Sequence, residues 1–205
     1  IVYNFRATGK ISTGSTNFLV ELTLNENGEV TLNNQNAYTN LKVNTNPGSI
    51  LNISLNTPIN NGEFNILGGT INGGIRCHCG ILKMSDGILN GWIKYDTSPS
   101  TIQISGGVIN QTDPYMIRSF GVEEGSKITI EDGTFNMGCF GNLIYATSSI
   151  VTISGGTFNR SNDAIVQTRG STMIKVNGTS KLNISNGSFI NKYLSLIHIS
   201  EPTRH

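Results

Sequence analysis

Ile128 to Asn136 reads ITIEDGTFN, and the phrase returns through most of the chain. Val151 to Asn159 (VTISGGTFN) follows it, and Ile102 to Asn110 (IQISGGVIN) precedes it. Looser copies are Phe64 to Asn72 (FNILGGTIN), Leu82 to Asn90 (LKMSDGILN) and Leu182 to Asn191 (LNISNGSFIN), the last one residue longer. The shared pattern is apolar-x-apolar, two small or polar residues, Gly, a spacer, an apolar residue and Asn. The alternation has the period of a β-strand. The glycine supplies a bend where a Cβ would clash or where φ is positive. Successive glycines, from Gly69 to Gly187, stand roughly 18 to 31 residues apart, within the range of solenoids and arrays. A copy this short cannot bury its own apolar face, so the copies must stack.

Between copies a third alternating segment recurs: Ile75-Arg-Cys77, Ile93-Lys-Tyr95, Ile117-Arg-Ser119, Ile144-Tyr-Ala146 and Ala164-Ile-Val166. Three short strands per turn, separated by bends, predict an all-β chain wound as a parallel β-helix. Stacking then predicts three kinds of file along the axis. Ile66, Met84, Ile104, Ile130, Ile153 and Ile184 face inward from the first strand. Ile71, Leu89, Ile109, Phe135, Phe158 and Phe189 face inward from the second. Asn72, Asn90, Asn110, Asn136, Asn159 and Asn191 form a structural ladder, their amides both donating and accepting. We expect that ladder to satisfy backbone groups that the bends leave without partners.

Composition agrees with a turn-rich β architecture. The 205 residues include 24 Gly and 26 Asn, and only 13% are charged. No window supports a long helix. A net charge of +1 gives no electrostatic case for nucleic acid. No apolar run has the length of a membrane span. Residues 64–193 hold the regular repeats. Residues 1–63 alternate less regularly, as in Phe18 to Leu24 and Leu51 to Leu55, and read as irregular first turns or the N-terminal part of the same solenoid. A separate small β domain is the other reading of that segment. Residues 194–205 break the pattern: LSLIHISEPTR resembles a translated transposase sequencing adapter, so we expect this tail to be non-native and the chain to be an internal fragment.

The GGTIN, GGVIN, DGTFN and GGTFN phrases resemble the repeats of bacterial cell-surface proteins with a pectate-lyase-like right-handed β-helix. They are also similar to the repeats of polymorphic outer-membrane adhesins. The resemblance covers roughly 64–191. It implies a right-handed coil, an extracellular or cell-surface location, and a role as stalk, adhesin segment or glycan-associated module beside other domains of the same chain. Fold analogy alone does not fix function. Polysaccharide lyases on this fold use calcium held by clustered carboxylates, and its glycosidases use clustered Asp near Gly-His-Gly. Here the acids are scattered, with Glu123-Glu124 and Glu131-Asp132 as the adjacent pairs, and there is no Asp-Asp or Gly-His-Gly. The reading is therefore a non-catalytic module with no cofactor. The alternative is a carbohydrate-active lyase or hydrolase whose catalytic residues lie on loops such as 111–126 and 160–180, or on missing turns.

Two surface features remain. Cys77-His78-Cys79 invites a metal, but alternation puts His78 opposite the two thiols, and Cys139 lies about 10 Å away along the axis. Buried free thiols are the plainer reading. If Ile75, Ile93, Ile117 and Ile144 face inward, then Arg76, Lys94, Arg118 and Tyr145 share one outward file with Trp92 beside it. Such a cationic and aromatic stripe suits an acidic or neutral polysaccharide or host glycan. A solvated face that blocks lateral sheet association is the bland reading. The outward file Asn65, Lys83, Gln103, Thr129, Thr152 and Asn183 is too mixed for an ice-binding threonine array.

Overall fold

The computed structural model describes residues 2–5, 9–11, 20–33, 38–39, 41–54, 58–60, 62–77, 80–95, 99–113, 115–120, 125–138, 141–160, 172–191 and 197–199. Among these residues there are strands, turns and bends but no helix. Every strand pair is parallel. One sheet of nine strands comprises β1 (Val2–Phe5), β3 (Val20–Leu24), β6 (Leu41–Thr45), β9 (Gly62–Ile66), β11 (Gly80–Met84), β13 (Ser100–Ile104), β16 (Ser126–Ile130), β19 (Ser149–Ile153) and β22 (Lys181–Ile184), paired in that order. The second sheet has fifteen strands. Its main path runs β2 (Gly9–Ile11), β4 (Glu29–Asn33), β7 (Ile50–Ser54), β10 (Thr70–Cys77), β12 (Ile88–Tyr95), β14 (Val108–Gln111), β17 (Thr134–Asn136), β20 (Thr157–Arg160) and β23 (Ser188–Asn191). Two branches leave that path: β5 (Tyr38–Thr39) and β8 (Pro58–Asn60) join it at β10, and β15 (Tyr115–Phe120), β18 (Asn142–Thr147), β21 (Ile174–Asn177) and β24 (Ile197–Ile199) join it at β12. Strands before residue 64 pair directly into the sheets of the later repeats. This is the arrangement of a parallel solenoid.

Register follows the repeated phrase. Ile66, Met84, Ile104, Ile130, Ile153 and Ile184 pair one above the next. So do Ile71, Leu89, Ile109, Phe135, Phe158 and Phe189. From Ile66 to Ile153 and from Ile71 to Phe158 these side chains are buried. Each contributes about 1.5–3 kcal/mol by leaving water. The upper three of the second file stack as rings, with centroids 4.6 Å and 4.7 Å apart. Thr45 interrupts the first file between Leu24 and Ile66. It is tolerated there because its hydroxyl donates to the Gly68 carbonyl at 3.0 Å.

The bends between the first and second strands hold glycines with positive φ, from +78° at Gly69 to +138° at Gly187. Much of their backbone is satisfied by backbone. Ser85 N donates to Ile66 O, Ser105 N to Met84 O and Ser154 N to Ile130 O, at 2.8–2.9 Å. On the far side Ile88 N donates to Gly69 O, Val108 N to Gly87 O and Thr157 N to Gly133 O, also at 2.8–2.9 Å. The parallel ladder therefore continues on both sides of the corner, and within it Asp86, Asp132 and Asn186 accept from the N–H of the glycine that follows. This corrects the role expected of the asparagines. They lie within strands and face outward, exposed at Asn72 and half-buried at Asn90, Asn110, Asn136 and Asn159.

Each asparagine in that file donates Nδ2 to the Oδ1 of the one below, at 2.8–3.0 Å from Asn72 to Asn159. The repeat varies between 18 and 26 residues over these steps. Length differences are thus absorbed elsewhere, and the ladder stays level. All the amides point the same way, so the bonds polarise one another. The file continues below the expected start to Asn52, which donates to the Glu29 carboxylate at 3.0 Å. A charged acceptor suits that end of the chain of donors. Asn191 is not a member. The extra residue of the last copy sets Ile190 against Asn159 and Asn191 against Arg160. A shorter ladder on the other sheet runs from Asn65 to Asn44 (2.9 Å) and from Asn44 to the Thr23 hydroxyl (3.2 Å).

Asn110 accepts from Asn136 at 2.9 Å and donates to Asn90 at 2.8 Å. We predict that Asn110→Ala destabilises the fold by roughly 1–3 kcal/mol in chemical denaturation, since it removes both bonds and orphans two neighbours. Asn191→Ala should lower stability less. Equal losses would remove the distinction between ladder and non-ladder asparagine.

Polar groups also line one inner corner. Gln111 Nε2 donates to Asn142 O at 3.4 Å, and Asn142 Nδ2 donates to Thr172 Oγ1 at 2.6 Å. All three residues are buried. Arg160 is only 4% exposed, and burial lowers its pKa by disfavouring the charged form.

Candidate functional site

The expected outward file exists as a register. Arg76 pairs with Lys94, Lys94 with Arg118 and Arg118 with Tyr145. It continues to Lys175 and His198. Lys175 is absent from the sequence expectation, which places Ala164-Ile-Val166 as the fifth copy of the third segment. That segment lies outside the described residues, and the strand pairing with Ile144-Tyr-Ala146 is Ile174-Lys-Val176. The same apolar-x-apolar form was legible there. Pairing of Ile197–Ile199 with β21 reflects the alternation of Ile-His-Ile and has no bearing on the origin of the tail.

Beneath the stripe, Ile75, Ile93, Ile117, Ile144 and Ile174 are fully buried. Alternation leaves the intervening Arg76, Lys94, Tyr145 and Lys175 half-buried at the surface. Backbone register places Arg118 between Lys94 and Tyr145, while its side chain lies outside the described set. Lys94 is held from two sides. Its Nζ lies 3.0 Å from Asp113 Oδ1 and 4.1 Å from the Trp92 ring centroid. The lysine and aspartate side chains are 17% and 27% exposed, so this pair is shielded more than a typical surface pair. Asp113 is one of the scattered acids of the sequence, and the fold brings it to Lys94.

Trp92 stands differently from the expectation. It is 9% exposed and pairs with Gly74, whose missing side chain makes room for the indole. A Cβ on Gly74 would overlap the ring. With one face on Gly74 and Lys94 over the ring, Trp92 seats the ammonium and offers little surface for stacking. Tyr145 is the more open aromatic. Its hydroxyl accepts from Asn177 Nδ2 at 2.9 Å, and Lys175 Nζ lies 5.6 Å from its ring centroid. The described part of the arrangement is Lys94 held between Asp113 and Trp92, with Tyr145 and Lys175 further along the same file. It can hold hydroxyl and carboxylate groups through hydrogen bonds and cation contacts.

Among the described residues, no group of three or more His, Cys, Asp or Glu is placed to hold a metal. His78, Cys79, Cys139, Glu123 and Glu124 lie outside the described residues, as does the side chain of Cys77. Glu131 and Asp132 are both exposed, and Asp132 caps its bend by accepting from Gly133 N at 2.7 Å. In the file once weighed as a threonine array, Thr129 and Thr152 pair, but Lys83 and Gln103 lie below them and Asn183 above. No helix among the described residues is long and apolar enough to cross a membrane.

Comparisons with protein families, with curated proteins and with solved structures find no match to this chain.

Proposed function

We propose that the chain is a right-handed parallel β-helix with three short strands per turn, and that it serves as a non-catalytic module outside the cell. In this role it is a stalk or adhesin segment whose outward file of Arg76, Lys94, Arg118 and Tyr145 binds glycans. Handedness rests on the strong preference of parallel crossovers for the right hand. The three-strand turn is supported by the first sheet, the main path of the second, and the strands that branch from that path at β10 and β12. A stalk role is supported by files of paired residues, such as Ile66 to Ile153 and Asn72 to Asn159, that stay in register through repeats of unequal length. Repeats that contact only their neighbours give an extended, quasi-one-dimensional body.

The observation that carries the glycan reading is the fixed geometry of the stripe. Lys94 is seated on Trp92 by Asp113, and Tyr145 is oriented by Asn177. Donors held in place before binding lose less entropy when a ligand arrives. The ligand class is an acidic or neutral polysaccharide lying along the file. A glycan array of anionic and neutral oligosaccharides tests this. The wild-type chain should bind, and the triple variant Arg76→Ala, Lys94→Ala, Arg118→Ala should lose at least about tenfold in affinity, some 1.4 kcal/mol. Binding that survives the triple substitution would remove the stripe as the site.

A further inference from the structure

The chain contains the dipeptide Asn-Gly at Asn27, Asn61, Asn72, Asn90, Asn177 and Asn186. Asn-Gly is chemically labile, because the glycine amide nitrogen can attack the asparagine Cγ with no side chain in the way. Asparagine is accordingly among the thermolabile residues. The N–Cγ bond forms, the Cγ–Nδ2 bond breaks, and the nitrogen leaves as ammonia with the amide proton. Water then opens the five-membered imide at either carbonyl, giving aspartate or isoaspartate. The reaction needs a nitrogen about 3–3.5 Å from the carbon. It also needs an N–H that base can reach.

These sites are far from equal in the fold. Asn72 and Asn90 are tied at both ends of their amides in the ladder, and their glycines lie inside β10 and β12. At Asn27, the following Gly28 is buried and gives its N–H to Asn25 O at 2.9 Å. Asn177 is half-buried and spends its amide on the Tyr145 hydroxyl. Asn61 lies outside the described residues. Asn186 is exposed at the last described bend, and there the glycine N–H donates to the very amide it would attack, Gly187 N lying 2.9 Å from Asn186 Oδ1. The Cγ is one bond beyond that oxygen.

We propose that Asn186-Gly187 is a built-in site of spontaneous deamidation and isoaspartate formation, selected by the bend from among the Asn-Gly pairs of the described residues. The product with a normal backbone fits the corner. Asp86 and Asp132 hold the equivalent contact with Gly87 N and Gly133 N at 2.7 Å. The isoaspartate product adds a methylene to the main chain beside Gly187, whose φ of +138° is set by the corner. Either product removes one unit from the formal net charge of +1. The modified bend would be a substrate for an enzyme that methylates isoaspartate carboxyls.

The full chain is incubated in mildly alkaline buffer, digested and mapped by mass spectrometry. Isoaspartate is counted in parallel by enzymatic methyl transfer. Conversion at Asn186 should run at least an order of magnitude faster than at Asn72 and Asn90. In strong denaturant that ratio should collapse, because the selection comes from the fold and not from the local sequence. Asn186→Gln should remove most of the methyl-accepting signal from the folded chain. Conversion at Asn72 or Asn90 as fast as at Asn186 in the folded chain would overturn the proposal, as would a ratio unchanged by denaturant.

Discussion

Phe158→Ala should destabilise the protein by about 3–5 kcal/mol, the range for deleting a buried aromatic ring. Phe158 has no exposed surface and is the middle ring of three, stacked on Phe135 at 4.6 Å and under Phe189 at 4.7 Å. Interplanar angles of 7° and 5° show rings in parallel array, an orientation imposed by strand register. Removing the middle ring opens a cavity and strips a contact from both neighbours. Phe189→Ala should cost less, because that ring is only half-buried. Urea denaturation of both variants measures the difference, with the slope checked for constancy. A loss near zero at Phe158 would show that this column does not carry the core.

Gly91→Ala is the second large effect. A Cβ at Gly91 would fall on the carbonyl oxygen of Gly73, its register partner one repeat below. The obstacle is backbone within a paired strand and cannot rotate away. Relief requires the two repeats to separate, breaking bonds on either side. We expect a loss of about 3 kcal/mol or more, at the upper end of overpacking effects. Gly133→Ala makes a useful contrast. Its nearest neighbour to an added Cβ is 3.3 Å away, so the penalty is mainly the φ of +120°. That strain is worth roughly 1–3 kcal/mol. Thermal melts of the two variants should rank Gly91→Ala as the more damaging, and the reverse order would mean that the repeats are not in close backbone contact there.

The axial files were legible because side-chain alternation has a fixed period and each repeat carries a glycine marker. Ile71 to Phe189 and Ile66 to Ile184 could be aligned from that marker alone. The ladder asparagines from Asn72 to Asn159 followed for the same reason. Asn191 failed because counting from Asn to Asn ignored the one-residue insertion, while pairing is anchored at Phe189. Asn52 was missed because its repeat lacks the marker in place. Ser49 stands at the level of Gly69, and the positive φ falls one residue earlier, at Gly48. The role of the asparagines was misjudged because side-chain patterns do not reveal that the backbone ladder continues on both sides of the bend.

The stripe was readable as a register and unreadable as a surface. Arg76, Lys94, Arg118 and Tyr145 share a file by alternation, which sequence shows. Whether Trp92 lies on that file or at the buried corner depends on Gly74 opposite it, a contact between residues 18 apart along the ladder's step. Asp113 reaches Lys94 from the next repeat, and no local pattern links the two.

The most direct test of the stacked files is a nuclear Overhauser measurement on protein with labelled phenylalanine rings. Adjacent storeys predict strong ring-to-ring cross peaks between Phe135 and Phe158 and between Phe158 and Phe189, and none between Phe135 and Phe189. Absence of the Phe135–Phe158 cross peak in the folded protein, with either ring found exposed to solvent, would contradict the account.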